Sequence, residues 1–113
     1  MGRIDLLVLA AGVSAHSMFD DLPLDIFDKV MKINLYGYVY LTKYALPYLY
    51  KTEGQILIIS SISGSIPLPM RTHYCASKYA VTGFFCSLRH EVADRGVSIT
   101  IAYPPTVTGT GFR

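Results

Sequence analysis

Three short apolar runs, separated by two longer segments of helical character, constrain the fold of this chain more than any other feature. The runs are Ile4 to Ala11, Gln55 to Ser60 and Val97 to Tyr103. The first predicts a strand buried on both faces, as in a parallel sheet, the second a short buried strand and the third a further strand. Residues 24–52 and 74–94, which separate the runs, predict helices. The resulting order of strand, helix, strand, helix and strand predicts an α/β fold with right-handed crossovers and adjacent parallel strands.

Glycine and proline residues indicate where these helical segments weaken or stop. Gly37 should weaken the middle of the first segment, and Pro47 should kink or break its last part. We therefore predict one helix or two in succession there. Apolar residues recur at helical spacing in the second segment, namely Ala80, Val81, Phe84, Leu88 and Val92. Gly96 follows where a left-handed glycine commonly ends a helix.

The composition excludes several classes of protein. Hydrophobic residues make up 51% of the 113 residues and charged residues only 16%, which is too apolar for a disordered chain. The net charge of +2 and the lack of a Lys/Arg cluster argue against nucleic acid as a partner. No apolar run reaches the roughly 18 residues that a membrane span needs. We find no repeat, low-complexity tract or linker, and predict one domain over residues 1–113.

The positions of the cysteines and histidines predict neither a disulfide nor a bound metal. Cys75 and Cys86 are eleven residues apart on a predicted helix, a rise of about 16 Å, which is too far for a disulfide. Free thiols fit a reducing compartment. We therefore expect the cytoplasm or the cytoplasmic face of a membrane, with membrane association left open. His73 and His90 are expected at the surface, and His16 in a loop that could approach a substrate.

Small and polar residues follow all three predicted strands. Gly12 follows the first strand, Ser60 and Ser61 end the second, and Pro104 ends the third. The carboxyl ends of parallel strands meet at one edge of the sheet, where open α/β folds bind their ligands. The sequence therefore predicts a ligand site at this edge.

Tyr74 and Lys78 lie one helical turn apart at the start of the second predicted helix, which places them on one face. The chain has nine tyrosines, so a Tyr-x-x-x-Lys pair alone is a weak motif. Each candidate has a structural interpretation as well. Tyr74 could lie on a helix surface and Lys78 could be a solvated charge. Ser61 could cap a turn, and Asn34 could be a polar break in a helix. The functional interpretation depends on their joint order and spacing.

In that order and spacing the chain resembles the central-to-C-terminal part of a short-chain dehydrogenase/reductase. "DLLVLAAG" looks like the family's Asp-x-x-Val-Asn-Asn-Ala-Gly strand, and "KINLYG" like its asparagine segment, with Asn34 on the asparagine. "IISSISG" carries the serine, and Ser61 lies thirteen residues before Tyr74. "YCASK" matches the Tyr-x-x-x-Lys element and "PPTV" the Pro-Gly-x-Val turn. The resemblance implies a Rossmann-like, doubly wound parallel sheet.

The resemblance also implies a reaction, in which a hydride passes between the nicotinamide of NAD or NADP and an alcohol or ketone. Tyr74 would give or take the proton on oxygen, while Lys78 would favour its phenolate and bond the nicotinamide ribose. Ser61 would hold the substrate oxygen, and Asn34 a water that passes protons toward Lys78. The implied catalytic residues are thus Asn34, Ser61, Tyr74 and Lys78. The implied cofactor contacts are Ala10, Ala11, Gly12, Tyr74, Lys78, Pro104, Pro105 and Val107.

The chain departs from the family pattern at several places. It has no glycine-rich turn of the kind that cradles the cofactor pyrophosphate. We therefore expect residues 1–113 to be a fragment, the catalytic part of one Rossmann-fold domain without its N-terminal glycine-rich βαβ half. Alone, the fragment should neither bind NAD or NADP usefully nor turn over substrate. Leu9 and Ala10 stand where the family has two asparagines, and Pro105 where it has glycine.

The resemblance extends to partners and leaves two alternatives open. Similarity to membrane-associated members and to 3-ketodihydrosphingosine reductases implies an apolar, lipid-like or steroid-like alcohol or ketone as the substrate. Association through the helices, as in the family, implies a homodimer or tetramer. A sugar-nucleotide epimerase relative would share Tyr-x-x-x-Lys, but Asn34 and "SLRHE" argue against it. A non-catalytic interaction module would use the two long helices for self-association.

Overall fold

Three strands form a parallel sheet in the computed structural model, which describes residues 3–10, 16–60 and 69–103. Strand β1 comprises Leu6–Leu9, β2 comprises Gln55–Ile59 and β3 comprises Ser98–Ala102. Both neighbouring pairs are parallel, and the strands lie in the order β1, β2, β3. The predicted topology is confirmed, although each strand is shorter than its apolar run.

The register of the sheet separates its two faces. Ile56 lies opposite Leu7 on one side and Ile99 on the other, and this row faces the core, where Ile56 is 1% exposed. Because side chains alternate along a strand, Leu6 and Val8 point from the opposite face, and they are 53% and 50% exposed. The prediction that the first strand is buried on both faces is therefore wrong. In the described part of the chain, the helices form one core with a single face of the sheet.

One long helical segment connects β1 to β2. It consists of helix α1 (Leu24–Met31), a π-helical turn (Lys32–Tyr36) and helix α2 (Gly37–Thr52). Its buried residues recur at steps of three or four and form a continuous stripe of Val30, Asn34, Tyr38, Thr42, Ala45 and Leu49. Helix α2 continues through Pro47 to its end, so the predicted break does not occur. Pro47 lies on the solvent side of α2, where water can bond the carbonyl that the absent N–H of proline leaves without its regular donor.

A tight turn brings the end of α2 back to the start of the sheet. Glu53 is left-handed, with φ of 51°. The Thr52 hydroxyl donates a 2.7 Å hydrogen bond to the carbonyl of Ile4. The backbone N–H of Gln55 donates a 2.9 Å bond to the carbonyl of Asp5. These bonds fix β2 beside β1 and so set the direction in which both strands reach the candidate site.

Helix α3 (Thr72–Val92) connects β2 to β3 and begins two residues earlier than predicted. The helix is followed by a 3₁₀ turn at Ala93–Arg95 and then by Gly96, which is left-handed with φ of 83°. The position of this glycine predicted the end of the helix. Phe85 is fully buried in the core shared with α2 and the sheet. Both cysteines are free thiols, as their spacing predicted. Within the described residues, none of the helices has the length and apolar character needed to cross a membrane.

Candidate active site

Asn34 lies in the π-helical turn and is fully buried. It occupies a position in an otherwise mostly apolar stripe, with Val30 before it and Tyr38 after it. Its side-chain amide donates a 3.2 Å hydrogen bond to the Ser77 hydroxyl on α3. A π-turn shifts the backbone pairing of a helix by one residue and is frequent at functional sites. The position therefore joins the long helical segment to α3 through a polar contact.

Tyr74 and Lys78 occupy the first turns of α3. The Lys78 ammonium nitrogen lies 5.5 Å from the centre of the Tyr74 ring and 5.9 Å from that of Tyr38. Lys78 is only 4% exposed, so the interpretation as a solvated charge is wrong. Burial lowers the pKa of the ammonium, because the charged form is poorly solvated there. Neither of the two ion pairs formed within the described residues involves Lys78.

Arg71 adds a second cation beside the Tyr74 ring. It immediately precedes α3, and its guanidinium carbon lies 4.3 Å from the ring centre, within the range of a cation–π contact. No motif in the sequence indicated Arg71, although it lies three residues before the candidate tyrosine. Tyr74 is itself only partly exposed, and the Arg71 and Lys78 side chains both contact its ring.

His73 is fully buried, so its predicted surface position is wrong. Its ring centre lies 6.5 Å from that of Phe27 on α1, and neither ring nitrogen has a hydrogen-bond partner in the described part of the chain. Steps of four residues backward from Val81 lead to Ser77 and His73. Extending the apolar period of α3 would therefore have placed both inside. His90 and His16 are exposed, as expected.

The carboxyl ends of the three strands lie at the same edge of the sheet. Ala10 follows β1 and is exposed, and Tyr103 follows β3. Ser60 follows β2 and is 7% exposed, and its hydroxyl has no partner within residues 3–10, 16–60 and 69–103. The other predicted contacts lie outside the described residues: Ala11, Gly12, Ser61, Pro104, Pro105 and Val107. The structure thus links Asn34, through Ser77, to the turn of α3 that carries Tyr74 and Lys78.

A separate groove of about 410 Å³ lies between α2 and α3. None of the candidate catalytic residues lines it, so it is not the candidate active site. Its lining consists of Val39, Thr42, Lys43, Leu46, Tyr50, Phe84, Leu88 and Glu91. Across the described ranges, no three His, Cys, Asp or Glu side chains come together in a way that could hold a metal ion.

Comparison with known sequences finds a matching family and relatives that are named as dehydrogenases or reductases. The family described as short chain dehydrogenase matches residues 1–113. "Dehydrogenase/reductase SDR family member 7B" of Rattus norvegicus is 41% identical over 104 residues, which are 91% of this chain and 32% of that protein. "11-beta-hydroxysteroid dehydrogenase A" of Sesamum indicum is 41% identical over 105 residues, which are 91% of this chain and 30% of that protein.

A solved structure agrees with these relatives. LigO of Sphingobium sp. strain SYK-6, in its apo form, superposes with a TM-score of 0.86 at 32% identity, over 92% of this chain and 39% of that one. The chain spans about a third of the length of the curated relatives that it matches. Its parallel sheet, its helices and the family match over all 113 residues show that the chain belongs to the short-chain dehydrogenase/reductase family of oxidoreductases.

Proposed function

We propose that this chain supplies the proton-transfer residues of an NAD- or NADP-dependent oxidoreductase that acts on an alcohol or a ketone. The observation that carries the proposal is the buried Lys78 ammonium, 5.5 Å from the Tyr74 ring. Tyr74 donates its phenolic proton to a carbonyl oxygen in reduction and removes a proton from a hydroxyl in oxidation. Because water screens little at this buried position, the ammonium stabilises the negative charge that develops on the substrate and the Tyr74 oxygen during proton transfer.

The donor chemistry of Lys78 fits the sugar of a nicotinamide nucleotide. A lysine ammonium has three N–H donors, and the described contacts of Lys78 are with two aromatic rings. Its N–H groups are therefore suited to the hydroxyl oxygens of a ribose. The nicotinamide, when bound, supplies or accepts the hydride. Ala10, at the carboxyl end of β1, lies at the edge of the sheet where a nucleotide binds in open α/β folds.

Two further residues complete the proposed site. Ser61 follows Ser60 at the carboxyl end of β2, and we propose that its hydroxyl holds the substrate oxygen and stabilises charge as it shifts. Asn34 lies in a π-helical turn, a backbone irregularity that is frequent at functional sites. In the proposal this turn holds a water that passes protons toward Lys78. Ala11, Gly12, Pro104, Pro105 and Val107 are proposed cofactor contacts on sequence grounds alone.

The direct test removes the phenolic oxygen of Tyr74. In the protein that carries this chain, Tyr74→Phe should lower turnover by about 100-fold or more, the usual contribution of general acid–base catalysis, while cofactor binding and folding are retained. Tyr79→Phe is the matched control, because Tyr79 lies on the same helix and is 41% exposed. Equal turnover of Tyr74→Phe and wild type would contradict the assigned role.

We further propose that the substrate is an apolar, steroid-like or lipid-like alcohol or ketone. The support is the sesame relative, a protein named as a hydroxysteroid dehydrogenase. Assays with a steroid ketone and a short-chain ketone of equal reactivity would discriminate. A kcat/KM that favours the short ketone would contradict this part of the proposal.

We propose that the 113 residues alone bind NAD and NADP weakly. The chain has no glycine-rich turn for the pyrophosphate. The charge-assisted hydrogen bonds that such a turn forms contribute roughly 1.5–3 kcal/mol each. Calorimetric titration of the purified chain with both cofactors tests this. Micromolar affinity would contradict it.

We also propose that the protein associates with a second copy of itself through α2. Four tyrosines spaced four residues apart are exposed along α2 and at the residue before it, namely Tyr36, Tyr40, Tyr44 and Tyr48. Leu41, on the same helix, is 54% exposed. Lys43 and Glu91 both line the neighbouring groove, so one copy offers both signs of charge to another.

A further inference from the structure

Ser77 forms hydrogen bonds with both Asn34, in the π-helical turn, and Tyr74, in the first turns of α3. It is fully buried. Its hydroxyl oxygen accepts a 3.2 Å hydrogen bond from the Asn34 side-chain amide, and its hydroxyl proton is donated over 2.8 Å to the backbone carbonyl of Tyr74. We infer that Ser77 is a positioning residue, which holds the π-helical turn in register with the turn of α3 that carries Tyr74 and Lys78. The inference rests on the proposed function, because it concerns residues assigned there.

The direction of this chain of hydrogen bonds is determined by its donors. The amide nitrogen of Asn34 can only donate, so Ser77 must accept from it and direct its single proton elsewhere. The Tyr74 carbonyl is an acceptor only, and it takes that proton. The hydrogen bonds therefore run from the Asn34 amide through the Ser77 hydroxyl to the Tyr74 carbonyl.

The Tyr74 carbonyl is also the regular acceptor for the backbone N–H of Lys78, four residues further along the helix. Ser77 thus bonds the backbone group that joins the two catalytic candidates to each other. A shift of the Ser77 hydroxyl moves this turn relative to Asn34. Asn34 and Ser77 are both 0% exposed, so removal of the hydroxyl breaks the bond between the π-helical turn and α3 at a position shielded from bulk water.

An alternative explanation is that Ser77 only fills space and bonds back to its own helix, as buried serines often do. That explanation accounts for the bond to Tyr74 but not for the bond from Asn34, which joins residues 43 positions apart. The two explanations differ in what Ser77→Ala does, because alanine keeps the helix and the volume and removes only the oxygen.

The experiment compares Ser77→Ala with Ser87→Ala in the protein that carries this chain. Ser87 is an exposed serine on the same helix and serves as the control. Ser77→Ala should lower kcat about tenfold, the effect of one buried hydrogen bond, and leave the KM for the cofactor unchanged. Ser87→Ala should match wild type. The combination Asn34→Ala with Ser77→Ala should lower kcat no further than Asn34→Ala alone, since both remove one shared bond.

A second measurement does not depend on activity or on the folding of any variant. In the wild-type protein labelled with ¹⁵N, the Asn34 side-chain amide should exchange with solvent at least about 100-fold more slowly than an exposed asparagine amide. Fast exchange would overturn the inference. Wild-type kcat in Ser77→Ala, with turnover lost in Tyr74→Phe, would overturn it and leave the proposed function standing. Wild-type turnover in both variants would overturn both.

Discussion

The Lys78 ammonium lies within 6 Å of the ring centres of two tyrosines, Tyr74 at 5.5 Å and Tyr38 at 5.9 Å. The two phenols differ in their surroundings. Burial raises the pKa of Tyr38, and the charge of Tyr74 raises it further. Tyr38 therefore stays neutral at physiological pH and serves as an aromatic wall. Tyr74 is partly exposed, and it is the phenol to which the proposed function assigns proton transfer.

The buried ammonium predicts a dependence of stability on pH. Burial lowers the pKa of Lys78 below its ordinary value of 10.5, so the unfolded chain binds this proton more tightly than the folded chain. Between the lowered pKa and 10.5, the unfolded state holds more protons, and the free energy of unfolding rises with pH. Lys78→Met should therefore increase the free energy of unfolding at pH 7, and the gain should shrink as the pH approaches 10.5.

Urea unfolding of wild type and Lys78→Met at several pH values from 7 to 10.5 would measure this difference in the free energy of unfolding. Both proteins contain the same tyrosines, so the effect of tyrosine titration on stability largely cancels in the difference. Lys43→Met is the control, because Lys43 is exposed on α2. A loss of stability in Lys78→Met at pH 7 would show that the two rings compensate the ammonium fully.

Pro47 offers a prediction about helix α2. The helix runs through Pro47, so the carbonyl of Lys43 lacks its regular donor. Pro47 is exposed, and its replacement removes little packing. Pro47→Ala should restore the hydrogen bond and raise the free energy of unfolding by about 2 kcal/mol, after allowance for the greater freedom of the unfolded chain. Chemical denaturation would measure it, and Lys51→Ala on the same helix should change stability little. An unchanged or lower stability of Pro47→Ala would contradict the prediction.

Self-association predicts a sensitivity to charge at Tyr44, which is 79% exposed on α2. Tyr44→Glu should weaken association by at least about tenfold, because each interface between two copies would contain two like charges. Sedimentation velocity over a range of concentrations would show the change. Leu24→Glu, at a residue 72% exposed at the start of α1, should leave the association as in wild type. Equal weakening by both variants would place the contact elsewhere.

The sequence predicted the topology because apolar runs and helical periods are local signals. The apolar run that contains Ile56 and Ile58 is enough to predict β2, and Gly96 predicts the end of α3 because glycine readily adopts the left-handed conformation. The resemblance located Asn34, Tyr74 and Lys78, and all three lie where α1, the π-helical turn and α3 meet.

The remaining features depend on contacts between distant segments. The burial of Lys78 follows from the packing of α3 against the long helical segment, which the local pattern of charge does not indicate, whereas that of His73 could have been predicted by extending the apolar period of α3 back from Val81. The exposure of Leu6 and Val8 depends on which face the helices cover. The π-helical turn at Asn34 is a matter of backbone pairing, and its partner Ser77 is a small polar residue with no signal except its position four residues before Val81.

Gly54 and Gly83 provide a matched pair for a prediction about the turn that orders the sheet. A Cβ atom at Gly54 would lie 2.6 Å from the backbone oxygen of Asp5, 2.8 Å from the Leu49 side chain and 2.9 Å from the Thr52 hydroxyl. The Asp5 carbonyl cannot move freely, because it accepts the N–H of Gln55 at 2.9 Å. Gly54→Ala must therefore displace β1 from the turn and should lower the free energy of unfolding by about 1–3 kcal/mol.

At Gly83, in the interior of α3, a Cβ atom would meet nothing within 4 Å. Gly83→Ala should raise the free energy of unfolding by up to about 1 kcal/mol, because alanine is the better helix former. The two variants add the same methyl group, so their opposite effects would separate the steric contact at the turn from the general effect of replacing glycine. Equilibrium unfolding in urea measures both. A stabilising Gly54→Ala would mean that β1 can move away from the turn at no cost, and that the hydrogen bonds of Thr52 and Gln55 do not hold it in place.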